Sequence, residues 1–168
     1  MFLGLALAAA TSAVTPTLPP RQVDRFAERV LAVHNAARAE VGAPPLAWDD
    51  SLARSAATYG PRLAALGRLV HSPREERPGQ RENLAMDLTW RGTPESMTGM
   101  WVEEKKLFVP GLFPAVTRTA NWEDVAHYTQ MIWKGTTHVG CATYDGGGWT
   151  YLICRYSPPG NKDGKPVP

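Results

Sequence analysis

Cysteine is scarce in this chain: two residues, too few for the multi-bridge framework that staples small exported folds. Stability must therefore come from a packed core. Charge of one sign is also lacking, since 18 basic residues face 16 acidic ones for a net +2. That field is too weak to argue for nucleic acid as a partner. There is no internal repeat, no low-complexity tract and no long run of like charge. No apolar run reaches the roughly twenty residues that cross a bilayer. A phosphate-cradling glycine loop is missing too, because Gly146, Gly147 and Gly148 lie between two strand-like segments where a hairpin accounts for them. Ser157 has no base in a recognisable motif, so nothing supports a serine nucleophile.

The N-terminus is the one markedly apolar stretch. Phe2 to Ala13 is rich in small and apolar residues, and Thr15 to Pro20 reads as an extended, proline-rich spacer. With Ala8–Ala10 or Thr11–Ala13 as a cleavage site, residues 1–20 read as a secretory signal peptide and spacer, although the basic start is missing. The run is too short for a membrane anchor and proline ends it. This predicts an exported protein, extracellular or periplasmic, with no stable membrane insertion after cleavage. Residues 21–161 then make one domain, of a size that buries about 70% of its unfolded surface. Residues 162–168 read as a flexible tail.

Helical spacing governs the first half. Val23, Phe26, Val30, Val33, Ala37 and Val41 form one apolar face, stopped by Gly42 and Pro44-Pro45. On that helix His34 and Arg38 share a face, suited to buried hydrogen bonds between helix and sheet. Asp49 or Asp50 can cap a second helix with the stripe Leu52, Ala56, Tyr59, Leu63 and Leu66, bent at Gly60-Pro61 and stopped by Gly67. Thr93-Pro94 opens a third, with Met97, Met100, Trp101, Glu104 and Phe108 on one side. A fourth covers Trp122 to Trp133. Most tryptophans, Trp101, Trp122, Trp133 and Trp149 in particular, are expected in the core.

The second half holds strands. Glu82–Met86 is one candidate, and His138–Tyr144 and Trp149–Tyr156 flank the glycines with aromatic and β-branched residues. If Gly147-Gly148 is a two-residue primed turn, Gly146 faces Trp149 and, counting outward, Cys141 faces Cys154. Opposed residues of an antiparallel pair lie close enough for a disulfide. Two buried, reduced thiols are the alternative; export favours the bridge.

Five segments carry a resemblance. Leu31–Arg38, Glu82–Ala85, His127–Trp133, His138–Cys141 and Cys154–Asn161, in that order, resemble the CAP superfamily of cysteine-rich secretory proteins, antigen-five allergens and plant pathogenesis-related class 1 proteins, also called SCP-like. The likeness runs from about Arg25 to Asn161. It implies an α+β fold, an α-β-α sandwich of about four helices on a small antiparallel sheet with a C-terminal disulfide-linked hairpin. The few cysteines and compact domain point to a microbial, bacterial member.

The resemblance also implies a central cleft built on two histidines and two acids. His127 opens the His-Tyr-Thr-Gln motif, Glu82 matches the glutamate of Gly-Glu-Asn, His71 follows the second helix, and Glu104 stands three residues beyond Trp101. Glu103 is about 100° away around a helix, so only one of the two acids can point inward. The chain departs from the family at Arg81 and Ala126, where glycine is usual. Arg81 could stabilise ionised Glu82 or sit across the cleft mouth.

Imidazole nitrogen and carboxylate oxygen are ordinary zinc ligands, so His71, Glu82, Glu104 and His127 could supply three or four donors to a divalent metal. Without a metal, the four can satisfy each other as Glu–His pairs. No organic cofactor is expected. The reading is a secreted binding module whose cleft takes a cation, zinc first, and a lipid, sterol or other small ligand. An alternative is a metal-dependent hydrolase or protease, with Glu82 or Glu104 as general base toward a zinc-activated water. A further alternative is an exported scaffold whose loops contact a protein partner.

Overall fold

Gly147 and Gly148 adopt φ of +62° and +82° in the computed structural model, which describes residues 25–168. Positive φ at both central positions makes the primed turn whose twist matches the flanking strands. It joins β4 (His138–Gly146) to β5 (Trp149–Ser157), with Gly146 opposite Trp149 and Cys141 opposite Cys154. The two cysteines are bonded across a Cα separation of 4.1 Å, as expected of a close, non-hydrogen-bonded pair. Residues 1–24, and with them the signal-peptide reading and Val23, lie outside the described residues.

The remaining strands complete a four-stranded sheet in the order β1-β4-β5-β2. β2 (Arg81–Leu88) pairs antiparallel with β5, longer at both ends than the five residues expected. β1 (Ala47–Trp48) runs parallel to β4, so the sheet is mixed rather than purely antiparallel. A two-residue strand between Pro45 and Asp49 is too short to show any alternation.

Side chains alternate across β5. Leu152, Cys154 and Tyr156 face a cluster containing Val30, Met97, Trp101 and Met131; Tyr151 and Ile153 face Ala56, Tyr59 and Leu63. Both faces are therefore covered, which explains why β5 reads as a nearly continuous apolar run. α1 (Phe26–Glu40), α4 (Pro94–Glu103) and α5 (Ala126–Ile132) lie on one face. α2 (Asp50–Ala57) and α3 (Gly60–Leu66) lie on the other. This is the expected α-β-α sandwich. Asp49 caps α2 by accepting from the Ser51 and Leu52 amides, and Thr93 with Ser96 forms a capping box on α4. Gly140 lets α2 approach β4 closely, since a Cβ there would fall 2.3 Å from the Asp49 carbonyl.

Four local expectations need correction. The second helix is broken before Gly60-Pro61 into α2 and α3, joined by a turn at Thr58–Tyr59, because proline cannot donate its amide. Leu66 and Met100 are exposed, each at the edge of its stripe. Trp122 and Trp149 are exposed as well, the first on a 3-10 turn (Trp122–Val125) and the second beside the hairpin turn; Trp101 and Trp133 are buried as expected. The tail is tied down: Pro166–Val167 forms β6 against β3 (Gly111–Leu112), and Val167 is 2% exposed in a cluster with Phe108 and Phe113. Burying an apolar side chain while pairing backbone outweighs the fraying that composition suggests. Among the described residues no helix is long and apolar enough to cross a membrane.

Candidate functional site

Burial assigns Glu82 its role. β2 is an edge strand of the sheet, and its second residue, Glu82, is wholly buried at the side chain. A buried carboxylate needs donors, and Glu82 has four. Oε1 accepts from His71 Nδ1 at 2.7 Å and from the Ser72 amide at 3.0 Å. Oε2 accepts from Ser72 Oγ at 3.0 Å and faces Arg155 Nη2 at 3.0 Å. Burial pushes this carboxyl up, but the His71 hydrogen bond, Arg155 and the Ser72 amide outweigh it and hold it below the usual range.

Glu104 repeats the arrangement from another element. It ends α4 and opens a 3-10 turn, Glu104–Lys106. Its Oε2 accepts from the His127 and Tyr128 amides at 3.0 and 2.9 Å, and its Oε1 from His127 Nδ1 at 2.6 Å. These amides are the first turn of α5, which has no side-chain cap of its own, so Glu104 caps that helix from a distance. Trp101 stacks on the His127 ring with centroids 5.9 Å apart. Glu103 turns away to pair with Lys106, as helix geometry requires.

His71, Glu82 and His127 line one cavity of about 470 Å³, whereas Glu104 is not part of its wall and stands behind His127. The four residues are thus brought together as two Glu–His pairs. They do not form one ring of donors: no group of three or more His, Cys, Asp or Glu side chains among the described residues is arranged to hold a metal ion. A carboxylate oxygen accepts, so Nδ1 of each ring is the donor in its pair and Nε2 is left free of it.

Sequence reasoning missed what surrounds these pairs. Arg155, 2% exposed, and not Arg81, is the cation beside Glu82. Arg81 instead donates to the Gly160 and Asn161 carbonyls at 3.1 and 2.8 Å. Asn83 Nδ2 donates to the His127 carbonyl at 3.1 Å and to Tyr156 Oη at 3.2 Å. Tyr156 Oη lies 2.7 Å from His34 Nε2, and His34 Nδ1 meets the Val30 carbonyl at 2.9 Å. His34 is therefore the buried tie between helix and sheet that its spacing suggested. Arg38 completes that layer, donating to the Pro44, Met131, Trp133 and Thr136 carbonyls. A local signal existed for Ser72, which adjoins His71; none existed for Arg155, whose register opposite Glu82 is visible only once β2 and β5 pair.

This fold and site define a class. The model of the CAP family, described as the cysteine-rich secretory protein family, matches residues 31–156. The chain is 39% identical to pathogenesis-related protein 1C of Nicotiana tabacum over 137 residues, covering 80% of this chain and 76% of that protein. It is 37% identical over 134 residues to a pathogenesis-related protein of PR-1 type from Sambucus nigra, covering 79% and 75%. The solved structure of Na-ASP-1 has a TM-score of 0.75 at 24% identity over 91% of this chain, which spans 46% of that chain. A structure of NaASP2 with Zn2+ has a TM-score of 0.72 at 23% identity, covering 90% and 89%. The chain belongs to the CAP family.

Proposed function

We propose that this CAP domain is an exported binding module whose central cleft holds a divalent cation, zinc first, between His71 and His127, together with a lipid, sterol or other small ligand. One observation carries the reading: each imidazole is fixed through Nδ1 to a carboxylate that also accepts from backbone amides. Carboxylate–histidine pairs of this kind orient a ring and raise the basicity of the free nitrogen for a metal. Glu82 and Glu104 are then orienting groups rather than ligands, because their oxygens are already engaged. Two nitrogen donors leave the rest of the coordination sphere to water or ligand. NaASP2, which shares the fold, has been solved with Zn2+, which makes zinc the first metal to test.

The same engagement argues against the hydrolase alternative. Glu82 accepts from four donors and is held in its ionised form, which leaves it a weak base. Export fits the Cys141–Cys154 disulfide, which persists in oxidising compartments.

Calorimetry of zinc binding to the wild type and to a His71→Ala, His127→Ala double variant tests the cation. Binding is expected in the wild type, weakening as acid protonates the imidazoles, and is expected to be lost in the variant. Equal binding in the two proteins would falsify the site.

A further inference from the structure

A second chemistry occupies the wall of the cleft away from the histidines. Arg74, Arg77 and Arg81 line the main cavity and also a smaller one beside it, of about 260 Å³. The smaller cavity adds Lys162 and has no carboxylate in its wall. Four cations around one concavity repel each other and normally recruit acidic partners. Here, among the described residues, none of the four forms an ion pair with Asp or Glu. Glu82 is committed to Arg155 and His71. Asp163 is near enough to act on Arg81 but does not pair with it.

Two of the guanidinium groups are held in place by backbone. Arg77 donates from Nε to the Ser72 carbonyl and from Nη1 to the Gln80 carbonyl, both at 3.2 Å. Arg81 is held by Gly160 and Asn161 through Nε and Nη2. Neutral carbonyls fix these forks without cancelling their charge, and each guanidinium keeps further N–H donors. Burial chiefly, and after it the neighbouring Arg74 and Arg77 charges, lower the Arg81 pKa against the opposing charge of Asp163.

We infer that Arg74, Arg77, Arg81 and Lys162 form an anion subsite for a phosphoryl group, the head of a ligand whose body lies in the main cleft against Trp122 and Ala126. A phosphoryl group matches the site in charge and in shape, since guanidinium forks bind its oxygens in pairs. The inference relies on the cleft reading for where the ligand body sits, but not on any bound cation.

The test uses full-length protein in chelator, with inorganic phosphate as one probe and phosphatidylcholine vesicles carrying phosphatidic acid as the other. The variant is Arg74→Gln with Lys162→Gln, two exposed positions that hold no ion pair in the fold. Wild type is expected to bind phosphate with an affinity that falls as salt is added. The double variant should bind about tenfold more weakly or worse. Vesicle binding that free phosphate competes away assigns the phosphoryl group to a lipid head; phosphate binding with no vesicle binding assigns it to a soluble ligand. Failure of the wild type to bind either probe, or equal binding by the double variant, overturns the inference. The zinc experiment reads His71 and His127 instead, so either reading can fail while the other stands.

Discussion

His34 offers the sharpest test of the packing described above. It is fully buried between α1 and β5, donates from Nδ1 to the Val30 carbonyl and accepts from Tyr156 Oη at Nε2. A proton on Nε2 would confront the tyrosine hydroxyl with a second donor and place a charge near Arg38. Burial first, and Arg38 after it, outweigh the Val30 hydrogen bond and bring the His34 pKa from 6.5 down to about 4. The unfolded chain therefore takes up this proton well before the folded one. Stability should fall as the pH drops below about 6.5, and the loss is complete near pH 4. At about 1.4 kcal/mol for each tenfold difference in proton affinity, the full loss is about 3 kcal/mol, with about 2 kcal/mol gone by pH 5. Between pH 6.5 and 5 the depressed carboxylates, Glu82 among them, stay ionised in both states and add little. Urea unfolding followed by tryptophan fluorescence at several pH values in this window, on wild type and His34→Gln, measures the slope. The variant should start less stable and lose less with acid. Equal slopes, or an NMR titration in which the His34 ring protonates near 6.5 in the folded protein, would refute the reasoning.

Other expectations follow from single contacts. Replacing both Cys141 and Cys154 with alanine should cost about 3 kcal/mol on the loop-entropy estimate, checked by denaturant midpoint. Thiol counting on denatured, unreduced wild type should find no free cysteine. Glu104→Gln removes a charge that caps α5 and orients His127, so it should lower stability by about 1–2 kcal/mol and weaken zinc binding by about 10- to 100-fold. An unchanged zinc affinity in that variant would show that the pair does not serve the cleft.

Local rules carried far along this chain. The glycine turn fixes the register of β4 on β5, and register alone sets Cys141 opposite Cys154, because each residue added on one strand is matched on the other. The helical faces of α1 and α4 were legible for the same reason: apolar spacing reports a buried side without reference to the rest of the fold. His34 could be assigned a structural role from its position on that face. The edges of these patterns were less faithful, as exposed Leu66 and Met100 show. A stripe ends where the neighbouring element ends, which the stripe itself does not encode.

The sequence by itself determined the sandwich and the disulfide, and family motifs singled out His71, Glu82, Glu104 and His127 as candidates. Tertiary structure alone decided how those four are used: as two separate Glu–His pairs, one braced by Arg155 across the β2–β5 register and the other by the amides opening α5. It also committed Arg81 to the Gly160 and Asn161 carbonyls, on a cavity wall shared with Arg74, Arg77 and Lys162. The reason is physical: a hairpin or a helix face is set by residues adjacent in the chain. The partner of a buried charge is whichever group the packed elements bring within about 3 Å, and that distance exists only after the layers have closed.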